Sequence, residues 1–273
     1  MSFASSIVAL NHWPEGLAAR RLPVIAGRIA RRTTAIAVLL LAWELAPRFS
    51  LVDPLFLPPF SAVAAAWWDL ALSGALLANG VASLSRAFAG LGLAMLIAIP
   101  LGLVIGASRW LAEVLDPVLE LFRNTAPLAL LPVFTLILGI GESSKVAMIL
   151  YAASWPILLS TVTGVRSVDP LLIKAARSMG IRPLALFCKV ILPASVPTLF
   201  TGIRLAAAIA LLVLIAAELV GARAGLGYMV SAAQYNFQIP EMYAGIVTLS
   251  LIGLLLNTTL RRIELRLSRW KET

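Results

Sequence analysis

Few residues in this chain are equipped for chemistry. There is one histidine, His12, and one cysteine, Cys188. No intramolecular disulfide can form, no Cys/His metal set exists, and no Ser/His pair falls within an apolar run, which argues against an intramembrane enzyme. His12 reads as a solvated tail residue and Cys188 as a small apolar filler. A Gly-rich phosphate loop of the form GxxxxGK[ST] is also missing, so the chain does not bring the usual ATP site. What remains are ionisable or polar groups inside or beside apolar stretches: Arg86, Arg123 with Asn124, Arg204 and Glu218. Charge in such surroundings is costly and marks a functional candidate by default. Arg86 and Glu218 suit a mutual ion pair, or contact between Arg86 and an anionic substrate; snorkelling to an interface is the alternative. Arg204 reads as facing a pathway or capping a membrane boundary, and Arg123-Asn124 as an interface anchor or a gate contact.

The elements that must position these residues are membrane spans. Of 273 residues, 60% are hydrophobic and 13% charged, with a net charge of +9. Soluble domains carry about 25% charged residues, so the usual water-facing surface is missing. A bilayer core needs about 20 mostly apolar residues per helix, and lipid forces every backbone group to be satisfied internally. The long runs lack the alternation of barrel strands, and we read six helices. They cover Thr34 to Phe49, Val81 to Ala107, Thr125 to Ile140, Val146 to Val165, a span beginning after Pro197 and ending near Ala217, and Met242 to Leu260.

Charge asymmetry sets the expected orientation. Six alternating spans with residues 1–33 inside leave 17 of the 22 Lys/Arg residues on the cytoplasmic side; only Arg48, Lys145 and Arg223 fall outside. The basic residues gather between apolar runs rather than in a stripe, which argues against nucleic-acid binding. The domain reading is a basic cytoplasmic tail (1–33) with no cleavable signal, a transmembrane region (34–265) and a short cytoplasmic tail (266–273).

Three further segments carry local signals. After Leu57-Pro58-Pro59, Ser61 suits an N-cap for a helix presenting Ala62, Val63, Ala66, Trp67 and Leu70 on one side, an external interfacial helix or a loop packed on the bundle. Trp67 and Trp68 suit headgroup depth. Gly102 and Gly106 form a GxxxG pair for close helix approach, within the chain or between copies.

Residues 166–193, RSVDPLLIKAARSMGIRPLALFCKVILP, are too polar for lipid yet patterned. Asp169-Pro170 starts a helix with an acceptor at the N-cap and proline at N1. Leu171, Leu172, Ala175 and Ala176 fall on one face, with Lys174 and Arg177 pointing elsewhere. Gly180 stops the helix, Pro183 opens a second one through Val190, and Pro193 and Pro197 mark entry to span five. The result is a helix–glycine–helix knob able to pass a partner's motion to the spans, or a solvated loop.

This segment resembles the coupling motif of binding-protein-dependent ABC importer permeases, E-A-A-x3-G-x9-I-x-L-P. Ala175, Ala176, Gly180, Val190, Leu192 and Pro193 match at the right spacing, Val190 stands for isoleucine, and Lys174 replaces the usual glutamate. The similarity runs from about Leu57 to Arg269. LPPFSAV at 57–63 is similar to a proline-rich stretch of the family, and ILGIGESSKVAMI at 137–149 and AAELVGARAGLGYMV at 216–230 resemble its aliphatic-sulfonate, taurine and nitrate branch.

The resemblance implies an all-α membrane protein of the type I importer permease fold with six spans, in the bacterial inner membrane with both termini cytoplasmic. It implies ATPase coupling through Lys174, Ala175, Ala176, Arg177, Gly180, Val190, Leu192 and Pro193. The partners it implies are a second permease copy (a homodimer, since one six-span copy is present), two ATPase subunits carrying ATP and Mg, and an external binding protein. The cargo it implies is a small organic anion, a sulfonate, taurine or nitrate. A pyrimidine-type vitamin precursor or an aromatic acid is the alternative within the family, and a secondary carrier the alternative outside it.

Overall fold

The computed structural model describes residues 34–267; the expectations for residues 1–33, including His12, and for 268–273 lie outside them. Residues up to Ala62 and residues from Val63 onward form two compact units. Among the described residues every regular element is helical.

In the first unit, α1 covers residues 34–48. The prolines after it break the chain before α2, Phe60–Leu72. Ser61 does not cap α2, because the helix begins one residue earlier. Instead Glu44 of α1 receives the Ser61 amide at 2.8 Å and the Ser61 hydroxyl at 2.9 Å. A carboxylate at a helix N-terminus meets free amides and the positive end of the dipole. Trp43 Nε1 donates to the Pro58 carbonyl at 3.0 Å and fixes the same corner.

The second unit contains the core. Val63, Ala66, Trp67 and Leu70 of α2 are buried or half-buried, as the apolar spacing requires, and Trp67 Nε1 donates to Thr248 Oγ1 at 3.0 Å. Trp68 is exposed. The principal helices are α3 (Ala75–Ala107), α6 (Glu142–Arg166), α9 (Leu192–Gly221) and α11 (Ile239–Leu267). Stretches of these four are long and apolar enough to cross a membrane. Between them lie α4 (Arg109–Asn124), a 3₁₀ turn (Pro127–Leu130), α5 (Leu131–Leu138), α7 (Pro170–Ser178), α8 (Pro183–Leu186) and α10 (Leu226–Tyr235).

Small residues bring α3, α6 and α9 together. A Cβ at Gly102 would lie 2.7 Å from the Thr161 Cβ, and one at Gly106 2.8 Å from the Val165 Cβ. The GxxxG pair is therefore spent on α3–α6 packing inside the chain. On the other face of α6, a Cβ at Gly202 would lie 2.4 Å from the Ser160 Cβ. Ala94, Ala98, Ile149, Ile157, Ala206 and Leu214 fill the shared core. Such close approach supplies van der Waals contact where lipid removes the hydrophobic drive between helices. Gly102→Val should therefore cost about 1–3 kcal/mol by overpacking. A lowered thermal midpoint of the detergent-solubilised protein checks it, with Gly92→Val, where an added Cβ meets nothing within 4 Å, as the control expected to change little.

Several expected boundaries move. Span two starts six residues early, at Ala75, which places Arg86 three turns into α3 rather than in its first turns. Thr125 to Ile140 is not one α-helix but a 3₁₀ turn followed by the short α5, and this Pro127–Leu138 segment is bent by 81° from α4. Pro127 and Pro132 remove backbone donors there, and the chain answers with a 3₁₀ turn before the short α5. Counting α4 and that segment as one span gives five. The stretch 109–123, expected as a connecting segment, is the body of α4; Arg109, Glu113, Asp116, Glu120 and Arg123 recur along one face, and Ser108 accepts the Leu111 amide at 3.3 Å.

Pro193 and Pro197 do not mark the entry to span five. Helical backbone runs from Pro183 to Gly221, with a π turn at Phe187–Ile191 that ends two residues before Pro193. The wider turn accommodates a residue that cannot donate to the usual acceptor. Cys188 sits in that turn and is exposed, so it is not a packed filler.

Candidate functional site

One end of the α3–α6–α9 core carries a closely bonded charge cluster. The N-terminal half of α3 supplies Asn79, Ser83 and Arg86, the first turn of α6 supplies Glu142, and the last turn of α9 supplies Glu218. Arg86 is 5% exposed and Glu218 1%. Arg86 Nη1 donates to Glu218 Oε1 at 2.6 Å and to the Ala224 carbonyl at 2.7 Å. Its Nη2 donates to Glu142 Oε1 at 2.7 Å, and its Nε also bonds Glu142. The planar guanidinium fork suits this arrangement, with one carboxylate bound in two places and the other from the side.

Glu218 is satisfied from every direction. Ser83 Oγ lies 2.8 Å from both carboxylate oxygens, and the Gly227 amide donates at 2.9 Å. The same Ser83 oxygen accepts the Leu226 amide at 2.8 Å, and Asn79 Oδ1 accepts the Gly225 amide at 2.8 Å. The turn after α9 is thereby stitched to α3. Its glycines have a steric reason. Gly225 has φ +124°, and a Cβ there would lie 2.4 Å from the Glu218 carboxyl carbon; one at Gly227 would lie 2.7 Å from the Glu218 Cβ. The spacing of Glu218, Gly225 and Gly227 thus encodes a buried carboxylate and the backbone that must close over it.

Arg86 and Glu218 do pair, one of the two readings of the sequence, and every donor group of Arg86 is engaged by protein. The sequence reading missed Glu142, Ser83 and Asn79. Glu142 lies inside a segment already singled out, but nothing local in that segment identifies Arg86 as its partner, 56 positions away.

The remaining candidates lie elsewhere. Arg204 Nη1 pairs with Glu264 Oε2 of α11 at 2.9 Å and lines a groove of about 850 Å³ between α9 and α11. Arg123 lies in the last turn of α4, 3.6 Å from Glu120; Asn124, which ends the helix, is exposed. The structure does not bring Arg123, Asn124 or Arg204 to the Arg86 cluster. Near Asn124 an aromatic group gathers instead: Phe122 stacks on Trp155 at 6.0 Å, and Tyr151 donates to the Phe122 carbonyl at 2.8 Å.

The knob segment folds by its local chemistry. Asp169 Oδ1 accepts the Leu171 amide at 2.8 Å, and Pro170 opens α7. At the other end Gly180 has φ +73°, its amide donates to the Arg177 carbonyl at 3.0 Å, and the Ile181 amide reaches the Ala176 carbonyl at 3.3 Å. This is a Schellman cap. The alanines differ from expectation: Ala176 is buried and Ala175 exposed, so they do not share one open face. Lys174 and Arg177 are exposed, Val190 and Leu192 half-buried, and Pro193 exposed. Leu171, Leu172, Met179 and Leu184 leave large apolar side chains uncovered.

Similarity to known proteins covers most of the chain. The taurine transport system permease protein of Escherichia coli K12 is 37% identical over 240 residues, covering 86% of this chain and 87% of its own length. The aliphatic sulfonates transport permease protein of Bacillus subtilis 168, a putative assignment in that organism, is 33% identical over 237 residues, covering 87% and 86%. The nitrate import permease protein of Leptolyngbya laminosa is 34% identical over 176 residues, covering 64% and 63%. An inward-facing form of the MetNI methionine ABC transporter shares the fold, with a TM-score of 0.62 at 22% identity over 69% of this chain and 94% of that one. The family described as binding-protein-dependent transport system inner membrane component matches residues 98–272. With its apolar helices, its capped knob and these relationships, the chain belongs to that family, as a multi-pass permease of the sulfonate, taurine and nitrate branch of ABC importers.

Proposed function

We propose that the chain forms the translocation pathway for a small organic anion of the sulfonate or taurine type, or for nitrate, delivered by an external binding protein. The observation that carries this reading is the similarity to taurine and aliphatic-sulfonate permeases over nearly the whole chain. In this reading the membrane is crossed six times, α1 being the first span and the bent segment around α5 the third, and both termini are cytoplasmic in a bacterial inner membrane. The basic residues between the spans favour that orientation. The Arg86 cluster then lies at the outer end and the knob at the inner end.

Two copies pair around a central pathway, and each knob receives one ATPase subunit. The uncovered Leu171, Leu172, Met179 and Leu184 around a rigid Schellman turn suit such a partner. ATP and Mg belong to the partner, and this chain performs no hydrolysis. Purified complex in proteoliposomes, with its binding protein and internal ATP, should accumulate radiolabelled taurine, an alkanesulfonate or nitrate in an ATP-dependent manner. Import of a sugar or a cation without any of these anions would overturn the assignment.

A further inference from the structure

Beside the charge cluster lies a cavity of about 530 Å³ bounded by α5, the turn that follows it, α6 and α9. Leu131, Ile140, Met148 and Val220 make its walls predominantly aliphatic, and Lys145 and Ser144 of α6 belong to its lining. Lys145 is 5% exposed. Its ammonium makes one hydrogen bond, to the Gly141 carbonyl at 3.0 Å, which leaves two N–H donors uncommitted. No carboxylate of the described residues lies within ion-pair distance of it. The two nearby carboxylates are engaged by Arg86, Glu142 in two bonds and Glu218 from the side. An ammonium held in an apolar wall without a bonded anion carries a desolvation cost of several kcal/mol. Lys145 also stands in the first turn of a 25-residue helix, where unpaired amides and the helix dipole add positive potential.

We propose that this cavity is an anion subsite of the permease, in which Lys145 receives the acidic head of the cargo and the aliphatic walls receive its tail. The proposal rests on the import of small organic anions put forward above and narrows it. The volume lies in the range of small-ligand sites. No carboxylate lines the cavity to accept a cargo ammonium, so a simple alkanesulfonate fits better than zwitterionic taurine. Nitrate offers no tail for the walls. A two-chain phospholipid shares the anionic head but can place only that head in this volume.

Binding should be measured on the permease–ATPase complex in phosphatidylcholine nanodiscs by titration calorimetry, with pentane-1-sulfonate, taurine and pentan-1-amine as probes. Pentane-1-sulfonate should bind saturably, at least tenfold more tightly than taurine, and the amine should not compete. Lys145→Met should weaken binding at least tenfold, whereas Lys145→Arg should stay within about threefold. Val220→Trp keeps the ammonium and fills the cavity; it should abolish binding even if Lys145→Met proves unstable by thermal denaturation. The proposal is overturned by absence of saturable binding, by equal affinity in Lys145→Met or Val220→Trp, or by taurine binding as tightly. Loss of binding when phosphatidylglycerol is added would assign the site to a lipid headgroup and likewise overturn it. A parallel import assay separates the two claims. Sulfonate import indifferent to Lys145→Met removes the subsite and leaves the proposed function. Lys145-dependent binding without import of any sulfonate, taurine or nitrate does the reverse.

Discussion

Glu218→Ala is expected to destabilise the protein by about 3–5 kcal/mol, the usual cost of removing one member of a buried ion pair. The substitution withdraws the acceptor for Arg86 Nη1, for the Ser83 hydroxyl and for the Gly227 amide at once. It also leaves a hole beneath the Gly225 turn, which closes over the carboxylate with no room for a side chain. Glu142→Ala should cost less than about 1 kcal/mol, because exposed ion-pair partners contribute little and the Glu142 side chain is 66% exposed. The two carboxylates therefore touch the same guanidinium and differ several-fold in consequence. Thermal unfolding of the two variants in one detergent tests the contrast, and equal shifts would refute the view of Glu218 as the buried keystone. The Arg86→Met/Glu218→Leu double variant should recover part of the loss, since an apolar pair of similar volume needs no charge compensation.

The second large effect is functional. Gly180→Pro should abolish transport-coupled ATP turnover while the spans still insert. Proline fixes φ near −65° and carries no amide hydrogen. Gly180 needs φ +73° and donates to the Arg177 carbonyl. The Schellman turn cannot form, and α7 and α8 lose their fixed relation on the surface proposed to meet the ATPase. Gly180→Asn is the informative companion, since asparagine tolerates the left-handed region; most of the coupled turnover should remain. ATPase activity stimulated by loaded binding protein is the measurement. Normal coupling in Gly180→Pro would show that the knob is not the transmission element.

What could be read from the sequence was what depends on near neighbours. Asp169-Pro170 and Gly180 define a helix start and stop through backbone chemistry within a few residues, and α7 folds as they require. The α2 face likewise follows from spacing. Hydropathy, by contrast, registers composition and not continuity. It merged residues 125–140 into one span although Pro127 and Pro132 interrupt the amide ladder, and it began span five only after two prolines that lie within a continuous helical stretch. The charge stripe of α4 was legible at three- and four-residue spacing but was masked by its position between apolar runs. The Arg86 cluster was half legible. Two isolated charges in apolar runs suggest a pair, but Glu142 joins them through tertiary proximity alone. Lys145, read as an external loop residue, is instead buried against a cavity.

The helical stretch from Pro183 to Gly221 joins the two regions of interest, with the knob at its start and Glu218 in its last turn. At about 1.5 Å per residue it is long enough to reach across a bilayer and beyond. Its weak point is local: the π turn and the two prolines gather between Phe187 and Pro197, where the amide ladder is incomplete. Bending compliance is concentrated there, while the remainder is a stiff shaft. Such a rod is built like a driveshaft with a universal joint near its knob end. A rod of this build takes up tilt at the joint and carries rotation about its axis, or displacement along it, toward Glu218 in its last turn.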